Sequence, residues 1–138
     1  MDRLVAPYVK VLDDLRRQVA ETVAPLDDEQ INRAVPGLRN SVGILLKHMA
    51  GSERYWIVEV AGGTPVHRNR DAEFEPAPAH KADLLADLDR VGTQSREVLE
   101  RLAAADLLQE VEVRRRTGDV ARKEMKAGAL LHATQHLA

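Results

Sequence analysis

Leu130-Leu131-His132-Ala133-Thr134-Gln135-His136-Leu137 sets two histidines four residues apart in an apolar, helix-forming run. On an α-helix such residues lie one above the other on the same face. An i, i+4 histidine pair is one way to grip a metal ion, and it is also found on plain packed or solvated faces. The rest of the chain decides between these readings.

The 138 residues suit one domain with one core. The formal net charge of -2 gives no broad attraction to nucleic acid or to an anionic membrane. No cysteine is present, so there is no disulfide framework, thiolate ligand or cysteine nucleophile. Any metal must be held by His, Asp or Glu. Aromatics make up only 3%, which leaves the core to Leu, Val, Ile, Met and Ala and favours helices. The apolar runs are too short to span a bilayer, and the N-terminus has no signal-peptide pattern. A soluble cytoplasmic protein is expected.

Leu4, Tyr8, Leu12, Leu15, Val19 and Val23 form the stripe of a first helix, which Pro25 ends. A connection follows, with one short helical turn expected over 28–31. Asn40 or Ser41 caps a second helix from Val42 to about Val60, with Val42, Leu45, Leu46, Met49, Trp56 and Val60 inward. His48 stands at the margin of that face, aligned with Tyr55. Glu53 falls inside the apolar arc, where it either finds a partner, a ligand imidazole or an arginine, or escapes to solvent by bending outward or by a turn of the helix at Gly51.

Val66 to Ala79 reads as a long surface connection of the kind that forms lids and site rims. Its His67 and the following His80 read as solvated surface residues. A third helix is expected from about Lys81 to Ala104, with the stripe Leu84, Leu88, Val91, Ser95, Val98 and Leu102. Gly92 in it marks close helix packing. Residues 106–118 read as an extended connection with a little β character, because Val111-Glu112-Val113-Arg114 alternates like a strand with no evident partner. Arg114-Arg115-Arg116 is either a solvated charge run or a means of gathering an anionic substrate. Thr117-Gly118-Asp119 is read as the turn and cap from which the fourth helix runs to the end, with Met125, Ala129, His132 and His136 on one stripe. This helix is apolar on more than one side, so it packs in the bundle or across an oligomer interface.

The pattern predicts an all-α antiparallel four-helix bundle with long second and third connections. Bundles build metal sites from inward side chains on facing helices. Here His48 comes from the second helix, and His132 and His136 from the fourth. An all-imidazole set suits Zn²⁺, Ni²⁺ or Fe²⁺ rather than Mg²⁺ or Ca²⁺.

Ser41-Val42-Gly43-Ile44-Leu45-Leu46-Lys47-His48-Met49-Ala50-Gly51-Ser52-Glu53-Arg54-Tyr55-Trp56 resembles the second-helix signature of DinB-like proteins, with a His, a Glu five residues later and an aromatic soon after. Leu130 to His136 resembles the start of their fourth-helix signature. The resemblance implies one DinB-like domain over 1–138, usually a homodimer, holding a divalent metal through three histidines. Relatives include mycothiol- and bacillithiol-dependent transferases and isomerases. Carried over, the ligands match His48 and His136. The family's third ligand usually comes four residues after His136, beyond Ala138, so that end of the fourth helix is expected to be missing here. His132 is the substitute on the same stripe, one turn earlier than the family pattern.

Two functions follow. One is a metal-dependent enzyme that transfers a low-molecular-weight thiol, or water, to an electrophilic small molecule. Glu53 and Tyr55 are then the candidates to assist. The other is a non-catalytic dimeric bundle whose histidines are structural or vestigial.

Overall fold

A computed structural model describes residues 1–138. Its helices are α1 (Ala6–Val23), α2 (Asp28–Asn32), α3 (Val42–Glu53), α4 (Arg70–Glu73), α5 (Lys81–Arg101) and α6 (Lys126–Leu137). A 3-10 turn over Ala104–Leu108 leads to a hairpin of β1 (Glu110–Arg114) and β2 (Val120–Met125). The four long helices make the expected bundle: α1 and α3 each pack against both α5 and α6. No helix is long and apolar enough to cross a membrane.

Local chemistry sets several boundaries. α2 starts in a capping box, in which Asp27 accepts from the Gln30 backbone N–H and Gln30 accepts from that of Asp27. Ser41 caps α3 by accepting from the Ile44 N–H at 3.2 Å. The first helix turns slightly from its expected stripe. Val5, Val9 and Leu12 are buried, whereas Leu4 is 61% exposed.

The second long helix does not keep one winding. After Glu53 it continues as a π-helical segment, Arg54–Ala61. At its end the Gly62 N–H bonds the Ile57 carbonyl, five residues back, at 2.9 Å. A 3.6-residue stripe drifts across such a segment, and Trp56, Ile57, Val60 and Ala61 are all buried there; earlier in the helix Leu45, predicted inward, is 41% exposed. π segments recur at functional sites.

The C-terminal part corrects the expected layout. Residues 106–118 are not simply a connection, and the fourth helix does not start at the Thr117-Gly118-Asp119 turn. That turn joins two antiparallel strands, with Val111 opposite Glu124 and Val113 opposite Arg122, and a bulge at Val113/Arg114. The partner strand is Val120-Ala121-Arg122-Lys123-Glu124-Met125, whose mostly exposed side chains conceal it as a strand. α6 therefore begins at Lys126, and Met125 lies outside it, half exposed. Ala129, Leu130, Ala133 and Leu137 face the core, and Leu131 points outward.

Candidate metal centre

α3 and α6 bring His48 and His136 together, with ring centroids 5.2 Å apart and planes at 63°. Two imidazoles on one tetrahedral ion have centroids roughly 5 Å apart, given metal–nitrogen bonds of about 2 Å. Each ring has a fixed neighbour at Nδ1. The His136 Nδ1–H donates to the His132 carbonyl at 2.8 Å. A carbonyl only accepts, so the proton is on Nδ1 and the Nε2 lone pair is left free. The His48 Nδ1–H donates to Glu73 Oε1 at 3.0 Å, which likewise leaves Nε2 free. Burial pushes the His48 pKa below its ordinary value and outweighs the nearby Glu73 carboxylate. A neutral ring with its lone pair free is the form that binds metals.

Glu73 is itself held from two sides. Arg68 donates to both of its oxygens at 2.8 Å, in a bidentate pair. Gly51, on α3, makes room for it. A Cβ at Gly51 would lie 2.0 Å from Glu73 Oε2. The carboxylate thus rests on the helix surface beside His48, and the Phe74 ring lies 4.8 Å from the imidazole. A carboxylate behind a histidine fixes ring orientation and raises its basicity toward a metal.

His132 does not join this pair. Its Nε2 meets Glu124 Oε1 at 2.7 Å, and its ring stacks on Trp56 at 4.5 Å and 23°. Four residues of helix amount to about 6 Å of rise, which carries His132 along α6 toward the hairpin. Its contribution at the pair is its backbone carbonyl. The structure thus assembles two of the three candidate imidazoles, and no group of three or more His, Cys, Asp or Glu side chains gathers as an ion cage. The two donors that meet are both imidazoles, a set that suits a borderline divalent ion, each with a hydrogen-bond partner at Nδ1.

Glu53 is fully buried but is not on an imidazole. Oε1 receives the Arg16 guanidinium and the Ser95 hydroxyl, the latter at 2.8 Å. Oε2 is buried with no partner. Burial accordingly holds the Glu53 carboxyl above its ordinary value of 4.5, against the pull of Arg16. The folded chain keeps a proton that the unfolded chain has released. This contribution to stability is therefore complete below the unfolded value and is lost as pH rises through the raised folded value. Glu53→Gln, which stays neutral, is expected to gain stability relative to the parent as pH rises from about 4 to about 8. Urea unfolding of both proteins across that range measures it, and a pH-independent difference would contradict the assignment.

Tyr55 lies at the other edge of the site. Its hydroxyl donates to the Arg114 carbonyl at a long 3.5 Å, and Arg68 lies over its ring at 5.5 Å. Burial raises the phenol pKa. His80 is on the surface, as expected, paired with Asp28 at 3.0 Å. His67 is also exposed, with a left-handed backbone at φ 51°.

Sequence reasoning missed Glu73 and Arg68. Both come from the 66–79 connection, which was read only as a rim. Glu73 is one of several acidic residues there, and nothing in the local pattern separates it from Asp71 or Glu75. Gly51 was the available signal, as a glycine one turn after His48 on the same helix.

No curated protein matches the chain. Among solved structures, the crystal structure of the conserved protein of locus from Enterococcus faecalis superposes with a TM-score of 0.68. The match covers 99% of this chain and 92% of that one at 16% identity, which is a likeness of fold alone. The family comparison reaches further. The model described as mycothiol-S-transferase aligns with residues 8–138, a span that holds all of the bundle except the start of α1 and includes both His48 and His136, and the chain belongs to that family.

Proposed function

We propose that this protein is a divalent-metal-dependent transferase of a low-molecular-weight thiol, with His48 and His136 as its own metal ligands through Nε2. The observation that carries the reading is the meeting of two imidazoles, each with a hydrogen-bond partner at Nδ1, in a chain of the mycothiol-S-transferase family. Bound Zn²⁺, Ni²⁺ or Fe²⁺ supplies Lewis-acid stabilisation of a thiolate, or of hydroxide for hydrolysis, near neutral pH. The chain's own residues arrange the rest. Glu73 orients His48, Arg68 holds Glu73, and the His132 carbonyl orients His136. Tyr55 and Arg68 line a neighbouring cavity on the hairpin side. The test is incubation of metal-loaded protein with mycothiol and an alkylating electrophile, with the S-conjugate measured by mass spectrometry. Conjugation that a chelator stops and added metal restores supports the proposal. A rate no faster than the protein-free reaction contradicts it.

Gly51→Ala probes Glu73 without touching either imidazole. The new Cβ must push the flexible carboxylate away. Helix propensity gains about 1 kcal/mol from the substitution, so thermal stability is expected to change little. Metal affinity is expected to fall by about 10–100-fold, as for other losses behind a ligating histidine. Unchanged affinity would remove Glu73 from the site.

A non-catalytic dimeric bundle is the second reading, and one surface favours it. Leu15, Val19, Val42, Leu45 and Met49 line an apolar cleft of about 350 Å³ that also touches the end of α6. A second copy of the chain is the proposed cover. Sedimentation across the micromolar range gives a dimer under this reading, together with no thiol conjugation, and a monomer contradicts it.

A further inference from the structure

The Arg114-Arg115-Arg116 run is exposed, but it lines one concavity rather than a flat surface. The hairpin carries it against the π segment, where the Tyr55 hydroxyl meets the Arg114 carbonyl. Across the gap stands the 66–73 connection, joined to the hairpin by Arg116 and Asp71 at 2.8 Å. Between them lies a cavity of about 440 Å³, lined by all three of these arginines with Arg68, Arg70 and Tyr55.

Its charge is not balanced locally. The two acidic residues on the wall are Glu59 and Asp71. Asp71 is taken by Arg116, and Glu59 accepts the Val66 N–H at 2.9 Å. Arg114 pairs with Glu112, and Arg68 with Glu73. Arg70 packs over Phe74 at 4.9 Å with no carboxylate partner, and Arg115 reaches only the Val120 carbonyl. Arg70 and Arg115 thus have no carboxylate bonded to them, and with the Glu59 carboxylate on the same wall the concavity keeps a net positive charge of one. Next to this wall, His67 holds a left-handed backbone that a non-glycine residue adopts at a cost. It directly precedes Arg68, whose guanidinium touches Tyr55 on one side and Glu73 and His48 on the other. The cavity is thus one side chain away from the imidazole pair.

We infer that this arginine cavity holds a compact oxyanion, a carboxylate or phosphate group carried by the electrophilic partner of the thiol. Guanidinium forks match both anions and grip them in two-point contacts. The inference deepens the transferase reading and rests on it for the identity of the ligand, while anion binding itself is measurable without metal or turnover.

The experiment is calorimetric titration of the full-length chain with succinate and, separately, with inorganic phosphate, at low ionic strength. The same titrations are run on Arg70→Glu/Arg115→Glu, whose two changes are on exposed side chains outside the imidazole pair. One saturable site in the parent, weakened about tenfold or more in the variant and by added salt, supports the proposal. Binding of succinate alone assigns a carboxylate, and of phosphate alone a phosphoryl group. No saturable binding of either, or equal binding in the variant, overturns it. Metal content of both proteins is measured in parallel. A variant that retains metal but loses the anion separates this cavity from the imidazole pair, and a parent that binds the anion but no metal contradicts only the transferase reading.

Discussion

Replacing Arg16 by methionine is expected to destabilise the fold by about 3–5 kcal/mol. Arg16 is only 11% exposed and Glu53 is fully buried. The variant leaves the carboxylate with a single donor, the Ser95 hydroxyl, in a site without water-facing surface. Removing one partner of such a pair costs far more than the pair itself is worth, because the remaining charge must be neutralised or solvated inside the protein. The pairing depends on Gly92. A Cβ at that position would come within 2.6 Å of Arg16 Nε, so the glycine on α5 lets the guanidinium lie across the helix to reach α3. Urea unfolding at pH 7 measures the effect. The double variant Arg16→Met/Glu53→Leu is expected to recover most of the loss, since apolar replacement of a whole buried pair is often near neutral. A cost below about 1 kcal/mol for Arg16→Met would mean that Glu53 already carries a proton at neutral pH.

His48→Ala is expected to lower divalent-metal affinity by at least about a hundredfold, more than the loss of a residue that only orients a ligand. The substitution removes one of the two imidazoles and leaves the Glu73–Arg68 pair facing a gap. His48 is only 17% exposed, so some packing is lost as well, and circular dichroism of the variant keeps folding apart from binding. Competition with a chromophoric chelator measures the affinity. Undiminished binding would place the metal elsewhere, whereas loss in both His48→Ala and His136→Ala, with His132→Ala close to the parent, is the expected pattern. The contrast with His132 is informative, because its ring is stacked on Trp56 and bonded to Glu124 rather than facing His48.

The bundle was legible because its helices obey a 3.6-residue period where it matters most. Leu12 and Val23 in α1, and Leu88, Val91 and Ser95 in α5, are buried as their spacing requires. The approach of residue 48 to residue 136 followed from two stripes facing one core. Glu53 inside an apolar arc correctly signalled a buried partner, and an arginine met it. The hairpin is hidden because Arg122, Lys123 and Glu124 give β2 no apolar alternation, which leaves β1 without a visible pairing partner in the sequence. The π winding after Glu53 was hidden because it changes the period itself. Glu73 was hidden because a loop has no period from which a direction can be read.

The central claim is that the Nε2 atoms of His48 and His136 bind one ion. Zinc titration of protein labelled with ¹⁵N-histidine tests it most directly. The account predicts that the Nε2 resonances of both residues shift together and saturate at one equivalent, with Nδ1 still protonated in each. Saturation at one equivalent with either Nε2 unmoved would contradict it.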